Sequence, residues 1–178
     1  PYLNVGNLRH RKFKVVVDCI NASGGVIIPR LLRELGCEVV TMNCEVGGVF
    51  ARAPEPIPEH LGELCSRVPD VGADLGIAVD PDADRLVLIT EKGEPFGEEY
   101  TITTVVQFVL SKQRFLANHA AMNGAPTVVV NLSTTRAVEE VARSLGANVV
   151  RTPVGEINVS SKMKEVGALV GGEGSGGV

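Results

Sequence analysis

The chain has 178 residues, 17 basic against 21 acidic, with no Trp and two Tyr. That balance supplies neither a general attraction for nucleic acid or an anionic membrane nor the interleaved aromatic and basic residues that stack single-stranded bases. At roughly 100–200 residues per domain the length allows one large domain or two small ones, and because no apolar run approaches the roughly 20 residues of a spanning helix and PYLNVGNLRHRK lacks the apolar middle of a secretory signal, a soluble cytoplasmic protein is expected.

In chain order, Phe13 to Cys19 (FKVVVDC) is a β-branched run ending in the turn Asn21-Ala22-Ser23-Gly24-Gly25, and it reads as a buried strand. Val26, Ile27, Leu31, Leu32 and Leu35 recur at helical spacing, with Pro29 in the first turn and Gly36 as the stop. A strand over 38–42 follows at once, so the unit is strand, helix, strand, which implies parallel pairing. Residues 43–58 read as loop, 59–68 as a short helix, and 75–79 and 86–90 as strands, with 91–94 as a hairpin turn. Pro95 to Gly97 is a boundary. Beyond it, 100–110 is expected to be helical and 111–126 irregular, then a strand at 128–131, a helix at 136–145, a strand at 148–151 and a short strand at 168–170.

The second half repeats the first: VVVDC…LLRELGCEVV at 15–40 answers VVVNL…EVARSLGANVV at 128–150. Val17 and Val130 lie 113 residues apart and Leu35 and Leu145 lie 110 apart, so the second copy is three residues shorter. A repeat on that scale far exceeds solenoid periods of about 20–50 residues. The expected fold is α/β, with two consecutive homologous α/β domains, residues 1–97 and 98–178, each a mostly parallel sheet flanked by helices; convergence of two common strand-helix-strand units is the competing explanation of the repeat. Cys19, Cys37, Cys44 and Cys65 form no CxxC pair and read as buried free thiols, while His10, His60 and His119 stand apart in polar surroundings.

Asp80, Asp82 and Asp84 stand at alternate positions directly after an apolar strand. Three carboxylates within five residues repel one another unless a cation sits among them, and hard divalent ions prefer oxygen ligands. A solvated Asx-type turn is the competing reading. As a calcium loop the segment fails: its sixth position is Arg85 rather than Gly, and the following residues form a strand rather than a helix. Mg²⁺ on three carboxylates would keep vacant positions for phosphate or water, and Arg85 adds a fixed cation suited to phosphoryl oxygens, or merely offsets the three Asp.

Gly171-Gly172-Glu173-Gly174-Ser175-Gly176-Gly177-Val178 is either a flexible tail or a ligand loop following the strand 168–170. Glu173 and Ser175 offer hydrogen bonds to sugar hydroxyls. Thr152-Pro153-Val154-Gly155 stands at the same kind of place after the strand 148–151. The Asn21 to Gly25 turn matches neither phosphate-binding glycine motif, and close packing of helix on strand is its expected role.

Together, Asp80-Pro81-Asp82-Ala83-Asp84-Arg85 resembles the metal loop of the α-D-phosphohexomutases, and Gly172-Glu173-Gly174-Ser175-Gly176 resembles their sugar-recognition loop. The Asn21 to Gly25 turn and the Thr152 to Gly155 segment match in place and order. The resemblance implies four domains around one cleft, of which this chain looks like the second and most of the third. It implies Mg²⁺ on Asp80, Asp82 and Asp84 with a phosphoserine as fourth ligand, Arg85 as the catalytic residue steadying the phosphoryl group, and Glu173, Ser175, Gly155 and Thr152 lining the hexose phosphate site. The parent reaction would move phosphate between the 6- and 1-positions of a hexose through a bisphosphate that reorients. The chain contains no Thr/Ser-Ala-Ser-His-Asn-Pro motif and no fourth-domain phosphate loop, so it is expected to be silent without the first and fourth domains. Gly177 stands where some members carry His, and Glu156 where they carry His or Asp. Two readings from other classes remain: a free-standing sugar-phosphate or metal binding module, and a phosphatase with Asp80 as nucleophile, the latter weakened because Arg85 rather than Thr follows the third Asp.

Overall fold

The computed structural model describes residues 4–117 and 124–178. Two compact units divide the chain, the first ending at Gly97 and the second running from Glu98 to Val178. The first contains α1 (Val5–Arg11), β1 (Lys14–Asp18), α2 (Gly24–Glu34), β2 (Glu38–Met42), a 3-10 turn (Pro58–His60), α3 (Gly62–Asp70), β3 (Leu75–Val79) and β4 (Leu86–Thr90). Its sheet has the order β2-β1-β3-β4, parallel except for β4, which returns antiparallel to β3. The second contains α4 (Glu98–Ala117), β5 (Thr127–Asn131), α5 (Ala137–Ser144), β6 (Asn148–Thr152), α6 (Glu156–Val166) and β7 (Val170–Gly172), with an all-parallel sheet of order β6-β5-β7.

Strands β1 and β5 are central and covered on both faces, which is why their valines run without alternation: Val15, Val16 and Val17, like Val128, Val129 and Val130, are all buried. The repeat is a repeat of register. Lys14 pairs with Glu38 as Thr127 pairs with Asn148, and Val15 pairs with Leu75 as Val128 pairs with Val170. Gly76 and Gly171 therefore occupy equivalent sites, and both need the missing side chain. A Cβ on Gly76 would stand 2.6 Å from Val68 Cγ2, and one on Gly171 2.5 Å from the Val129 carbonyl oxygen and 2.6 Å from Met163 Sδ. These contacts press α3 and α6 onto their sheets.

Several elements depart from the sequence expectation. The apolar stripe of α2 splits: Ile28 and Leu32 pack inward, whereas Val26, Ile27 and Leu31 are exposed. Helix α4 continues through 111–117, because nothing from Ser111 to Ala117 breaks a helix and Lys112, Gln113 and Arg114 are good helix formers; residues 118–123 of the segment expected to be irregular lie outside the described residues. Helix α6 was not expected: its Ser, Asn and Val content is poor in propensity and only Val159 is buried, so no stripe announces it. Helix α1 also escaped, being short, interrupted by Gly6 and without a buried residue, and Asn4 caps it through the Asn7 N–H. Of the four cysteines only Cys19 is fully buried, and Cys37, Cys44 and Cys65 are half-buried free thiols. Among the described residues no helix is long and apolar enough to cross a membrane.

Candidate functional site

Both ligand loops expected from the sequence lie at the carboxyl ends of parallel strands, where backbone groups diverge and leave a crevice. Asp80 follows β3 directly. Its carboxylate is buried and serves as the pivot of the loop, with Oδ1 accepting the Arg85 N–H at 3.1 Å while the Asp80 carbonyl accepts from Ala83 N–H at 3.1 Å. Ala83 takes a positive φ of 60° to close this turn, a conformation that carries strain for a residue with a Cβ. The closed turn leaves Asp82 and Asp84 exposed on the same side as Asp80, and one ligand oxygen from each of the three lies within 4.8 Å of the others.

Arg85 sits beside this cluster, its Nε 3.7 Å from Asp80 Oδ2 and its Nη1 3.7 Å from Glu55 Oε1. Pro54, Glu55, Asp80, Pro81, Asp82 and Arg85 line an open cavity of about 410 Å³. The Arg85 side chain is 39% exposed, and with only two contacts at 3.7 Å its guanidinium remains available at the cavity wall. Three hard oxygen donors converging beside an open cavity fit a divalent cation that keeps positions for water or an oxyanion.

Residues that the sequence reading passed over hold this loop in place. Arg52, from the loop after β2, has most of its side chain covered: its Nε donates to Asp18 Oδ2 at 3.0 Å, its Nη2 to the Val79 carbonyl at 2.8 Å and its Nη1 to the Ala53 carbonyl at 3.2 Å. Asp18 in turn accepts the Ile20 N–H at 2.8 Å. The Asn21 to Gly25 turn supports the loop from another side, since Ser23 Oγ donates to the Pro81 carbonyl at 2.6 Å. The expected packing of helix on strand is met at Gly24, where a Cβ would stand 3.0 Å from Val79 Cγ2, whereas a Cβ on Gly25 would stand 2.5 Å from the Cys44 carbonyl oxygen in the loop after β2. Beneath this turn the hydrogen bond from Cys19 pulls the Cys44 thiol down to about 7.

In the second unit, Glu173 follows β7 and reaches back to the Gly155 loop, its Oε1 accepting the Gly155 N–H at 2.9 Å. Gly155 has φ 121°, a region closed to other residues in practice, as it starts α6. Thr152 ends β6, is buried, and donates to the Pro153 carbonyl at 3.0 Å. The glycine-rich string is thus a folded loop: Glu173 N–H donates to the Gly177 carbonyl at 2.8 Å, and Gly174 N–H to Thr134 Oγ1 at 3.1 Å. Thr134 itself donates to Asn131 Oδ1 at 2.7 Å. The structure thereby brings Glu173 and Gly155 into contact and ties Gly174 to the end of β5, while Ser175 stands half-buried in the same loop.

The two loops are one loop of the repeat. Because Leu75 and Val170 share a register position, Asp80 and Ser175 both stand five residues along. Asp18 and Asn131 correspond in the same way, each a buried polar group ending the central strand. The signal was legible as VVVD against VVVN, a polar residue closing a run of valines twice over. Arg52 and Glu55 carried no such signal, lying in a loop whose path only the folded chain reveals.

The sequence pattern of the phosphoglucomutase/phosphomannomutase family, alpha/beta/alpha domain II, matches residues 2–93, and that of its alpha/beta/alpha domain III matches residues 106–178. A protein named "Probable phosphoglucosamine mutase" from Methanopyrus kandleri is 39% identical over 164 residues, covering 92% of this chain and 34% of its own length. A phosphoglucomutase/phosphomannomutase of Thermococcus kodakarensis is 38% identical over 177 residues, 99% of this chain and 37% of its own. The crystal structure of a phosphoglucomutase/phosphomannomutase family protein from Burkholderia thailandensis superposes with a TM-score of 0.83 at 28% identity, over 97% of this chain and 36% of that one. The chain therefore spans about a third of the length of these relatives. With the two domain patterns matched in order along nearly its whole length, this chain belongs to the phosphoglucomutase/phosphomannomutase family.

Proposed function

We propose that the chain carries the metal loop and the sugar-recognition loop of a phosphohexomutase that interconverts hexose 6-phosphate and hexose 1-phosphate. The observation that carries this reading is the convergence of Asp80, Asp82 and Asp84, with ligand oxygens within 4.8 Å, beside Arg85 and an open cavity. Asp80, Asp82 and Asp84 would hold Mg²⁺, which when bound supplies positive charge to a phosphoryl group in transfer. Arg85 Nη groups would hold the equatorial oxygens of that group, aided by the release of its long contacts to Asp80 and Glu55.

In the second unit the remaining oxygen of Glu173 would accept from sugar hydroxyls, since Oε1 already holds Gly155 N–H. Ser175 would add a donor and acceptor, and Thr152 and Gly155 would shape the wall. A loop tied at Gly155, Thr134 and Gly177 is preorganised, so sugar binding costs less ordering entropy. Two sequential transfers through a hexose bisphosphate would require a phosphoserine, and the sequence contains no Thr/Ser-Ala-Ser-His-Asn-Pro motif to provide one. That group and the phosphate-binding loop would come from further parts of a longer polypeptide, consistent with the share of the relatives that the chain spans.

Phosphoryl transfer depends on positioning, so the 178 residues alone are expected to be inactive. Turnover of glucose, mannose and glucosamine phosphates by the isolated chain and by a full-length protein containing it tests this. The proposal expects turnover only in the second; robust turnover by the isolated chain would overturn it.

A further inference from the structure

We propose that Arg52 is the positioning residue of the Asp80 loop: anchored on Asp18, its guanidinium fixes the Val79–Asp80 peptide and so aims the Asp80 carboxylate toward Asp82 and Asp84. The inference rests on the metal-loop reading for its functional meaning and on hydrogen bonds for its geometry. Arg52 and Asp18 side chains are 9% and 3% exposed. Desolvating two charges costs several kcal/mol per ion before their attraction repays it, so a buried pair is weak evidence of net stabilisation. Its geometry is more telling. All three nitrogens of the guanidinium are engaged, at 3.0 Å to Asp18 Oδ2, 2.8 Å to the Val79 carbonyl and 3.2 Å to the Ala53 carbonyl.

Asp18 ends β1 and Val79 ends the adjacent β3, so the planar fork staples two neighbouring strand ends at the point where the ligand loop leaves the sheet. The Val79 carbonyl belongs to the peptide that places Asp80, and holding that oxygen fixes the plane from which the Asp80 side chain departs. The same segment meets the loop again at its far side, where Glu55 faces Arg85 at 3.7 Å. A lysine has one nitrogen and cannot span Asp18, Val79 and Ala53 together.

The test uses the 178-residue chain, with Mn²⁺ alone as the probe, and compares the wild type with Arg52→Gln and Arg52→Lys. Lysine keeps the charge beside Asp18 while giving up the fork, so it remains informative if glutamine prevents folding. Mn²⁺ affinity is read by electron paramagnetic resonance well below the melting temperature, and amide exchange is read without metal. Positioning predicts Kd raised about tenfold in the variants, with faster exchange at Arg85 and Ala83, whose N–H groups bond to Asp80. Amides within β1 and β2 should keep their protection, because a general loss of stability would accelerate the whole sheet together. Wild-type binding with unchanged Kd in both variants would overturn the proposal, as would loss of protection spread evenly over the sheet. If the wild type fails to bind Mn²⁺, the metal-loop reading falls; selective exchange at Arg85 and Ala83 would then still support Arg52 as the anchor of Asp80, and unchanged exchange would overturn it.

Discussion

Replacing Asp82 by Asn should move stability in opposite directions with and without metal. One oxygen from each of the three carboxylates lies within 4.8 Å of the others, and two unit charges at that separation repel by about 0.9 kcal/mol in water. Asp82 and Asp84 are exposed, so the water value applies to that pair and is a lower bound for the pair with buried Asp80, and physiological salt with a Debye length of about 8 Å leaves roughly half of it. Asp82 faces two partners, so its neutralisation relieves about 1 kcal/mol, less the repulsion that an unfolded DxDxD segment retains. For a unit that ends at Gly97 the full 1 kcal/mol corresponds to a rise of roughly 4–8 °C in the metal-free melting temperature, and the repulsion retained on unfolding lowers that figure. With Mg²⁺ the sign reverses, because each carboxylate attracts a dication with twice the charge product of a carboxylate pair. The loss is about 2 kcal/mol, or roughly thirtyfold in Kd. Melting curves at constant ionic strength with and without MgCl₂, together with calorimetric titration, check both arms. A metal-free melting temperature lowered by Asp82→Asn, or an unchanged Kd, would refute the electrostatic reasoning.

Gly76→Ala should destabilise the first unit by about 1–3 kcal/mol in urea titration, because its Cβ would meet Val68 Cγ2 at 2.6 Å and both Val68 and Ile89 are fully buried with little room to give; wild-type stability would contradict that packing. Cys44 should alkylate before the other thiols. Its thiol is lowered from 9.0 to about 7 by the hydrogen bond from Cys19, so the thiolate fraction rises as pH climbs through about 7, whereas burial pushes Cys65 and Cys37 up. Mass spectrometry of iodoacetamide adducts across pH 6 to 9 follows this order, and Cys19→Ala, which leaves no donor at that position, should delay the Cys44 reaction to higher pH; an unchanged profile would remove Cys19 as the cause.

The fold was legible where backbone geometry writes itself into composition. The continuous valine runs of β1 and β5 announced strands covered on both faces, and the offset of Val17 from Val130 and Leu35 from Leu145 anticipated the shared register. Helix α6 was illegible because its residues are weak helix formers and a single one is buried, so its stability comes from packing of a kind that no periodicity records. Val26, Ile27 and Leu31 misled for the converse reason: helical spacing identifies a helix but does not say which of two apolar faces turns inward. At the site, Asp80, Asp82 and Asp84 were visible because like charges so close in sequence demand a cause, and the structure puts their oxygens together. Arg52 was invisible because its partners Asp18 and Val79 lie 34 and 27 residues away in sequence.

The most direct test of the metal loop is anomalous diffraction from crystals of this chain grown with Mn²⁺. The account predicts a peak bounded by oxygens of Asp80, Asp82 and Asp84, lost in Asp82→Asn. Well-ordered carboxylates with Mn²⁺ bound elsewhere and none between them would contradict it.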